Sequence, residues 1–126
     1  MERYPKTAIA KPRMTQADSW KKRPVVLRYW AYKDDIKAWG RKNNFKLTDE
    51  IYVKFYLPMP KSLSIKKKAE MLYKPHQKRP DVDNLLKGLM DALLEEDSHV
   101  HTVYAQKFWA NEGFVEFYSI SNITLL

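Results

Sequence analysis

Two aspartates separated by one residue, Asp81 and Asp83, precede an apolar run, and a third, Asp97, follows it. In an extended segment, carboxylates at i and i+2 point to the same side, about two strand rises apart, and can share a divalent cation. Asp97 joins them if the element it leads into packs beside the element that separates it from the pair. Three carboxylates, several waters and a phosphate oxygen make an ordinary magnesium environment. A cation held in that way can activate water for in-line attack on a phosphodiester and stabilise the charge that builds on phosphorus and the leaving oxygen. Lys87, one helical turn beyond Asp83, faces the same side and can neutralise that charge or orient the attacking water.

A purely structural reading competes with this chemistry. An aspartate before a helix is a common N-cap, and Pro80-Asp81-Val82-Asp83 would satisfy orphan amides and the helix dipole without any metal. Other Asp-x-Asp chemistries fit badly. An EF-hand loop needs glycine at its sixth position, where this chain has Leu86. A phosphatase nucleophile would follow a buried apolar strand, whereas Lys74-Pro75-His76-Gln77-Lys78-Arg79-Pro80 leads into Asp81. His99 and His101 lack a third imidazole or carboxylate at a recognised ligand spacing, and His76, in the basic loop, is placed to approach a phosphate.

The elements that must position these groups follow from the apolar pattern. Leu85, Leu86, Leu89, Met90 and Leu93 recur at three- and four-residue steps from Val82 to Leu94, which predicts an amphipathic helix with Asp83, Lys87 and Asp91 on its polar face. Glu50 to Leu57 is β-branched and aromatic and is closed by Pro58 and Pro60, a strand. Leu27, Trp30, Ala31, Ile36 and Trp39 fit a second helix from Val26 to about Lys42, with Gly40 near its end. Ser62 or Ser64 caps a short basic helix running through Lys66-Lys67-Lys68 to Leu72. The runs Val100 to Trp109 and Phe114 to Ile120 alternate as strands, and Asn111-Glu112-Gly113 between them reads as a hairpin turn. The first thirty residues read as a short strand and a long basic loop. The sum is one α+β domain over residues 1–126, a small mixed sheet with two or three packed helices, in which residues 1–25 form a basic segment able to move without a ligand.

The 126 residues suffice for one hydrophobic core and not comfortably for two. With no cysteine, disulfides, thiolate metal sites and thiol nucleophiles are excluded, so any metal sits on oxygen or imidazole. No run approaches the roughly 18 apolar residues of a membrane span and the start carries no signal-like apolar stretch, which makes the cytoplasm the expected location. The net charge of +8 is unevenly spread: residues 1–80 hold 21 Lys+Arg against 7 Asp+Glu, and residues 81–126 hold 2 against 8. A basic body around an acidic patch suits a protein that grips phosphates while carboxylates hold cations. Lys11, Arg13, Lys21, Lys22, Arg23, Lys74, Lys78 and Arg79 are the candidate phosphate contacts, Arg79 foremost because it adjoins the aspartates. Among the tryptophans, Trp20 inside the basic loop is the candidate to stack on exposed bases, while Trp30, Trp39 and Trp109 sit at positions usual for core.

The string Arg79-Pro80-Asp81-Val82-Asp83-Asn84-Leu85-Leu86-Lys87, then Asp91-Ala92-Leu93, then Asp97-Ser98-His99-Val100, resembles the signature of RusA-type Holliday junction resolvases. That resemblance covers residues 79–100 strongly and extends weakly to Ala10-Lys11-Pro12-Arg13-Met14 and to the strand ending at Pro58. It implies that Asp81, Asp83 and Asp97 are the catalytic metal-binding aspartates and Lys87 a functional lysine, with Asn84 and Asp91 in supporting roles. It also implies a homodimer that binds four-way DNA junctions and cuts two symmetric strands with Mg²⁺ in recombination and repair, in a bacterial or phage setting; it leaves open whether Mn²⁺ can substitute. Two departures stand out. The connection between Asp91-Ala92-Leu93 and Asp97 is short for the family, and Glu96 stands where an aspartate is usual, which leaves open whether Asp97 or Glu96 completes the site. A non-catalytic basic DNA- or RNA-binding module with a structural carboxylate cluster is the alternative.

Overall fold

The computed structural model describes residues 2–13 and 23–118, and the chain runs β1 (Glu2–Tyr4), α1 (Pro24–Lys42), β2 (Glu50–Pro58), α2 (Ile65–Met71), α3 (Val82–Leu93), β3 (Thr102–Ala110) and β4 (Phe114–Tyr118). β2 is the organising strand. Ile51, Val53, Phe55 and Leu57 alternate on one of its faces, each at most 4% exposed, and they pack against Leu85 and Leu89 of α3 and Tyr29, Tyr32 and Ile36 of α1 in one core. Burying Leu85 and Leu89 completely is worth about 1.5–3 kcal/mol each, which makes this face of α3 its anchor to the sheet.

The strand order is β1-β4-β2-β3. β3 runs parallel to β2 from Glu50↔Thr102 to Pro58↔Ala110, and β4 runs antiparallel to β2 on the other side. The parallel pair requires a long crossover, and that crossover holds α2 and α3. The strands predicted after Asp97 therefore both form, but they are not a hairpin. Asn111–Gly113 carries the chain past the end of β2, where the Met59 amide donates to the Ala110 carbonyl at 3.0 Å. The reason is burial: β2 is the most enclosed strand and takes the centre, with each later strand on one of its edges. Gly113 is required in that turn, because a Cβ there would stand 1.9 Å from Thr7 Oγ1. Ile120 lies outside the described residues.

α1 spans the predicted segment, yet its buried stripe is Val26, Tyr29, Tyr32, Ile36 and Gly40, while Leu27 and Trp30 are exposed. Tyr29 takes the inner face because its hydroxyl reaches Asp91 at the rim while its ring is buried; Tyr32 is buried beside it with its hydroxyl unpartnered among the described residues. Trp39 packs on Phe45 and Phe117 at ring distances of 5.2 and 5.8 Å, and Trp109 lies against His76. Ser64, rather than Ser62, caps α2 by accepting the Lys67 amide at 3.1 Å. No described helix is long and apolar enough to cross a membrane.

Candidate active site

Residues 73–81 reach α3 as a strap along the free edge of β3. The Tyr73 amide donates to the Trp109 carbonyl, the Trp109 amide to Lys74, and the His76 amide to Lys107, at 2.9–3.0 Å. Beyond His76 the strap leaves the strand, and a side chain holds it instead: Lys107 Nζ donates to the carbonyl oxygens of Lys78 and Pro80, the latter at 2.8 Å. The Arg79–Pro80 peptide bond is cis. His76 is 5% exposed with its ring 4.0 Å from that of Trp109. Desolvation, then the Lys107 charge, lowers its pKa, and its Nδ1 accepts the Lys78 amide at 3.4 Å. It is a neutral packing residue, not the phosphate contact its place in a basic loop indicates.

The strap delivers Asp81 to the N-cap of α3 in extended conformation, and its carboxylate makes no capping bond. The position is that of a cap, but the side chain is left available for another partner. Asp83 falls in the first turn of the helix, so the extended i, i+2 alignment gives way to two carboxylates around one helix end. The pair also sits favourably on the positive pole of the dipole. Arg79, Pro80, Asp81 and Asn84 line an open hollow of about 500 Å³ there; Asp83 stands outside that lining, exposed, as does Lys87 one turn on. Arg79, Lys78 and Lys74 are exposed along the strap. Oxygen donors of this kind suit a hard cation, which takes one or two protein carboxylates and fills its remaining positions with water and phosphate.

The opposite end of α3 is wired differently. Asp91 accepts the Tyr29 hydroxyl at 2.8 Å, pairs with Lys33 at 2.8 Å and has Lys11 at 3.9 Å. Burial pushes its pKa up, but the Lys33 and Tyr29 bonds outweigh that and hold it below the usual aspartate range. Glu96 accepts the Ser98 amide at 3.0 Å, which holds its pKa low. Asp97 is exposed, and its carbonyl accepts the Val100 amide in the turn before β3. His99 Nδ1 lies 2.6 Å from Asp49 Oδ1.

The convergence of Asp97 on Asp81 and Asp83 does not occur within the chain. α3 has 12 residues and so is about 18 Å long; Asp97 and Glu96 follow its far end. No group of three or more carboxylates, imidazoles or thiols close enough to hold a metal occurs among the described residues.

Of the phosphate-contact candidates, Lys21 and Lys22 lie outside the described residues, as does Trp20. Arg23 Nη2 donates to the Arg13 carbonyl at 2.9 Å. Lys11 is carried by the N-terminal segment across α3, where its amide donates to the Asn84 carbonyl at 3.1 Å. Gly88 makes this crossing possible, since a Cβ there would come within 2.9 Å of the Ile9 carbonyl. Asn84 thus holds the N-terminal segment through its backbone carbonyl, and Asp91 meets Lys11 and Lys33 through ion pairs. Lys107, Tyr29 and Lys33 were not singled out by sequence. The signal for Lys107 is a cation at the same parity as the apolar Val103, Ala105 and Trp109 of β3.

A relative in Bacillus subtilis (strain 168), the uncharacterized protein YqaN, is 47% identical over 73 residues, covering 51% of each chain; the chain thus spans about half the length of this curated relative. The model of the family Endodeoxyribonuclease RusA matches residues 4–117, from the last residue of β1 almost to the end of β4 and across the strap, both ends of α3 and every described aspartate weighed above. The chain belongs to the RusA endodeoxyribonuclease family, whose members are hydrolases of DNA phosphodiester bonds.

Proposed function

We propose that this protein is a metal-dependent endonuclease that resolves four-way junctions and related branched DNA in recombination and repair. The observation that carries the reading is the contrast inside α3: Asp81 occupies a cap position without capping, next to Asp83 and to the basic strap, in a chain of the RusA family. Asp81 and Asp83 hold Mg²⁺, or Mn²⁺ in its place. When bound, the cation supplies Lewis-acid stabilisation of the charge that gathers as water displaces the leaving oxygen from phosphorus. Arg79 grips a backbone phosphate beside the aspartates. Lys87, exposed on the same polar face as Asp83, neutralises the phosphoryl oxygens. Lys74 and Lys78 extend the track for the duplex arm.

Asp97 enters as the third carboxylate from a second copy. A four-way junction has two-fold symmetry and calls for two sites related by the same axis, and a partner protomer can bring its far end of α3 to the near end of this one. A cytoplasmic setting, bacterial or phage, accords with such a substrate.

Cleavage of a labelled synthetic four-way junction with Mg²⁺, beside the matched linear duplex and beside Asp83→Asn, tests the proposal. Junction-selective cuts that vanish in the variant while junction binding persists support it. Binding without cutting by the native protein would make it a DNA-binding module instead.

A further inference from the structure

The ammonium of Lys107 holds main-chain oxygen rather than a carboxylate. It donates to the carbonyls of Lys78 and Pro80 at 2.8 Å, and it makes no ion pair with any described carboxylate. Those carbonyls lie on either side of Arg79, and that of Pro80 immediately precedes Asp81. The same residue's own carbonyl accepts the His76 amide at 3.0 Å, so Lys107 fastens the strap through both its backbone and its side chain. Between His76 and the first turn of α3, the described main-chain bonds no longer tie the strap to β3, and the lysine bridges that gap.

We infer that Lys107 is a positioning residue: by gripping the strap on either side of Arg79, it sets where the guanidinium of Arg79 and the carboxylate of Asp81 stand relative to a bound cation and its phosphate. This inference rests on the metal-dependent nuclease reading. A lysine suits the task, because a compact ammonium can point separate N–H bonds at two carbonyls in different directions. Groups that orient a ligand without touching the metal commonly change affinity about 10–100-fold when removed. An apolar side chain of the same reach leaves both carbonyls without their donor, and the strap is then held at position 81 only by its entry into α3.

The test compares native protein, Lys107→Met and Lys107→Arg. Mn²⁺ binding without DNA is followed by loss of the free-ion EPR signal, amide exchange is followed over residues 77–84, and the melting temperature is recorded. For Lys107→Met the half-saturating Mn²⁺ concentration should rise about tenfold, with faster exchange confined to residues 77–84 and a melting temperature within ~3 °C of native. Lys107→Arg should recover most of the affinity. Unchanged Mn²⁺ binding in Lys107→Met overturns the inference, whatever the exchange shows. So does a loss that tracks a general fall in melting temperature and is not recovered by arginine. Junction cleavage separates the two readings: native protein that neither binds Mn²⁺ nor cuts overturns the nuclease reading along with this inference, whereas native protein that cuts, beside a Lys107→Met that binds and cuts equally well, overturns the inference alone.

Discussion

The two ends of α3 use the same residue type for opposite purposes. At the N-terminal end, Asp81 stands where a capping bond could form and makes none, and Asp83 is exposed beside it. At the C-terminal end, Asp91 is held by Tyr29, Lys33 and Lys11 and Glu96 by a turn amide. A carboxylate surrounded by protein donors has its charge already satisfied, and a cation must displace those donors to bind it. A carboxylate without them holds its charge ready at the cost of some local stability. On the proposed reading, the same helix separates Asp81 and Asp83, whose carboxylates are open to a cation, from Asp91, whose carboxylate is engaged by protein donors, and single substitutions should part the two.

The largest effect expected is on cutting. Asp83→Asn should lower junction cleavage about 10³-fold or more, since losing several kcal/mol of charge stabilisation at the transition state costs a factor of ten per 1.36 kcal/mol. Its melting temperature should stay within ~2 °C of native, because the helix-dipole contribution lost is small and repulsion from Asp81 is relieved. Asp91→Asn should show the reverse pattern, a measurable loss of stability with junction cleavage within a few-fold of native. If Asp91→Asn abolished cutting at full stability, the division between the two ends would be wrong.

Next in size is the close approach that seats the N-terminal segment on α3. Gly88→Ala should destabilise by about 1–3 kcal/mol in urea unfolding, because its methyl meets the Ile9 carbonyl at 2.9 Å and the Tyr29 ring at 3.2 Å. Junction affinity should fall with it, since Lys11 rides on that segment. A substitution that stabilised, as alanine for glycine does in an unobstructed helix, would show that the segment lifts away without penalty.

How much of this was legible beforehand depends on the range of the interaction. α3 and its polar face could be read because leucines at helical spacing are a local signal. β2 could be read because Ile51, Val53, Phe55 and Leu57 alternate. The inner phase of α1 is not legible from spacing because Tyr29 looks like a surface residue until its hydroxyl meets Asp91, which lies 62 residues away in sequence. The order of the sheet was not legible: β3 and β4 are neighbours in sequence, and only competition for the edges of β2 parts them. The near end of the site was visible as a string of residues, whereas the position of Asp97 was not, since spacing along a chain says nothing about which way a helix runs. Lys107 was invisible for the same reason, because its partners lie more than twenty residues upstream and are backbone atoms.

The smallest effect expected is the pH response at Asp91. Asp91 has its folded pKa depressed, so the stability it contributes is fully present above the unfolded aspartate value of about 3.9 and is lost as pH falls through the folded value. The Asp91 side chain is about a third exposed, so its ion pairs are partly screened and Asp91→Asn should cost only about 1 kcal/mol at neutral pH. That difference between native and variant should shrink as the pH is lowered from about 5 toward 3, read from urea midpoints at each pH. Glu96→Gln sets the scale for an exposed group: its pKa is lowered by a turn amide but it lies in open solvent, so its departure from the native curve should stay smaller than that of Asp91→Asn and shrink over the same pH range. A difference between native and Asp91→Asn that stayed constant down to pH ~3 would mean that Tyr29 and Lys33 bind the neutral carboxyl as well as the carboxylate. The C-terminal end of α3 would then be held by shape and hydrogen bonding alone, and charge would cease to distinguish it from the N-terminal end.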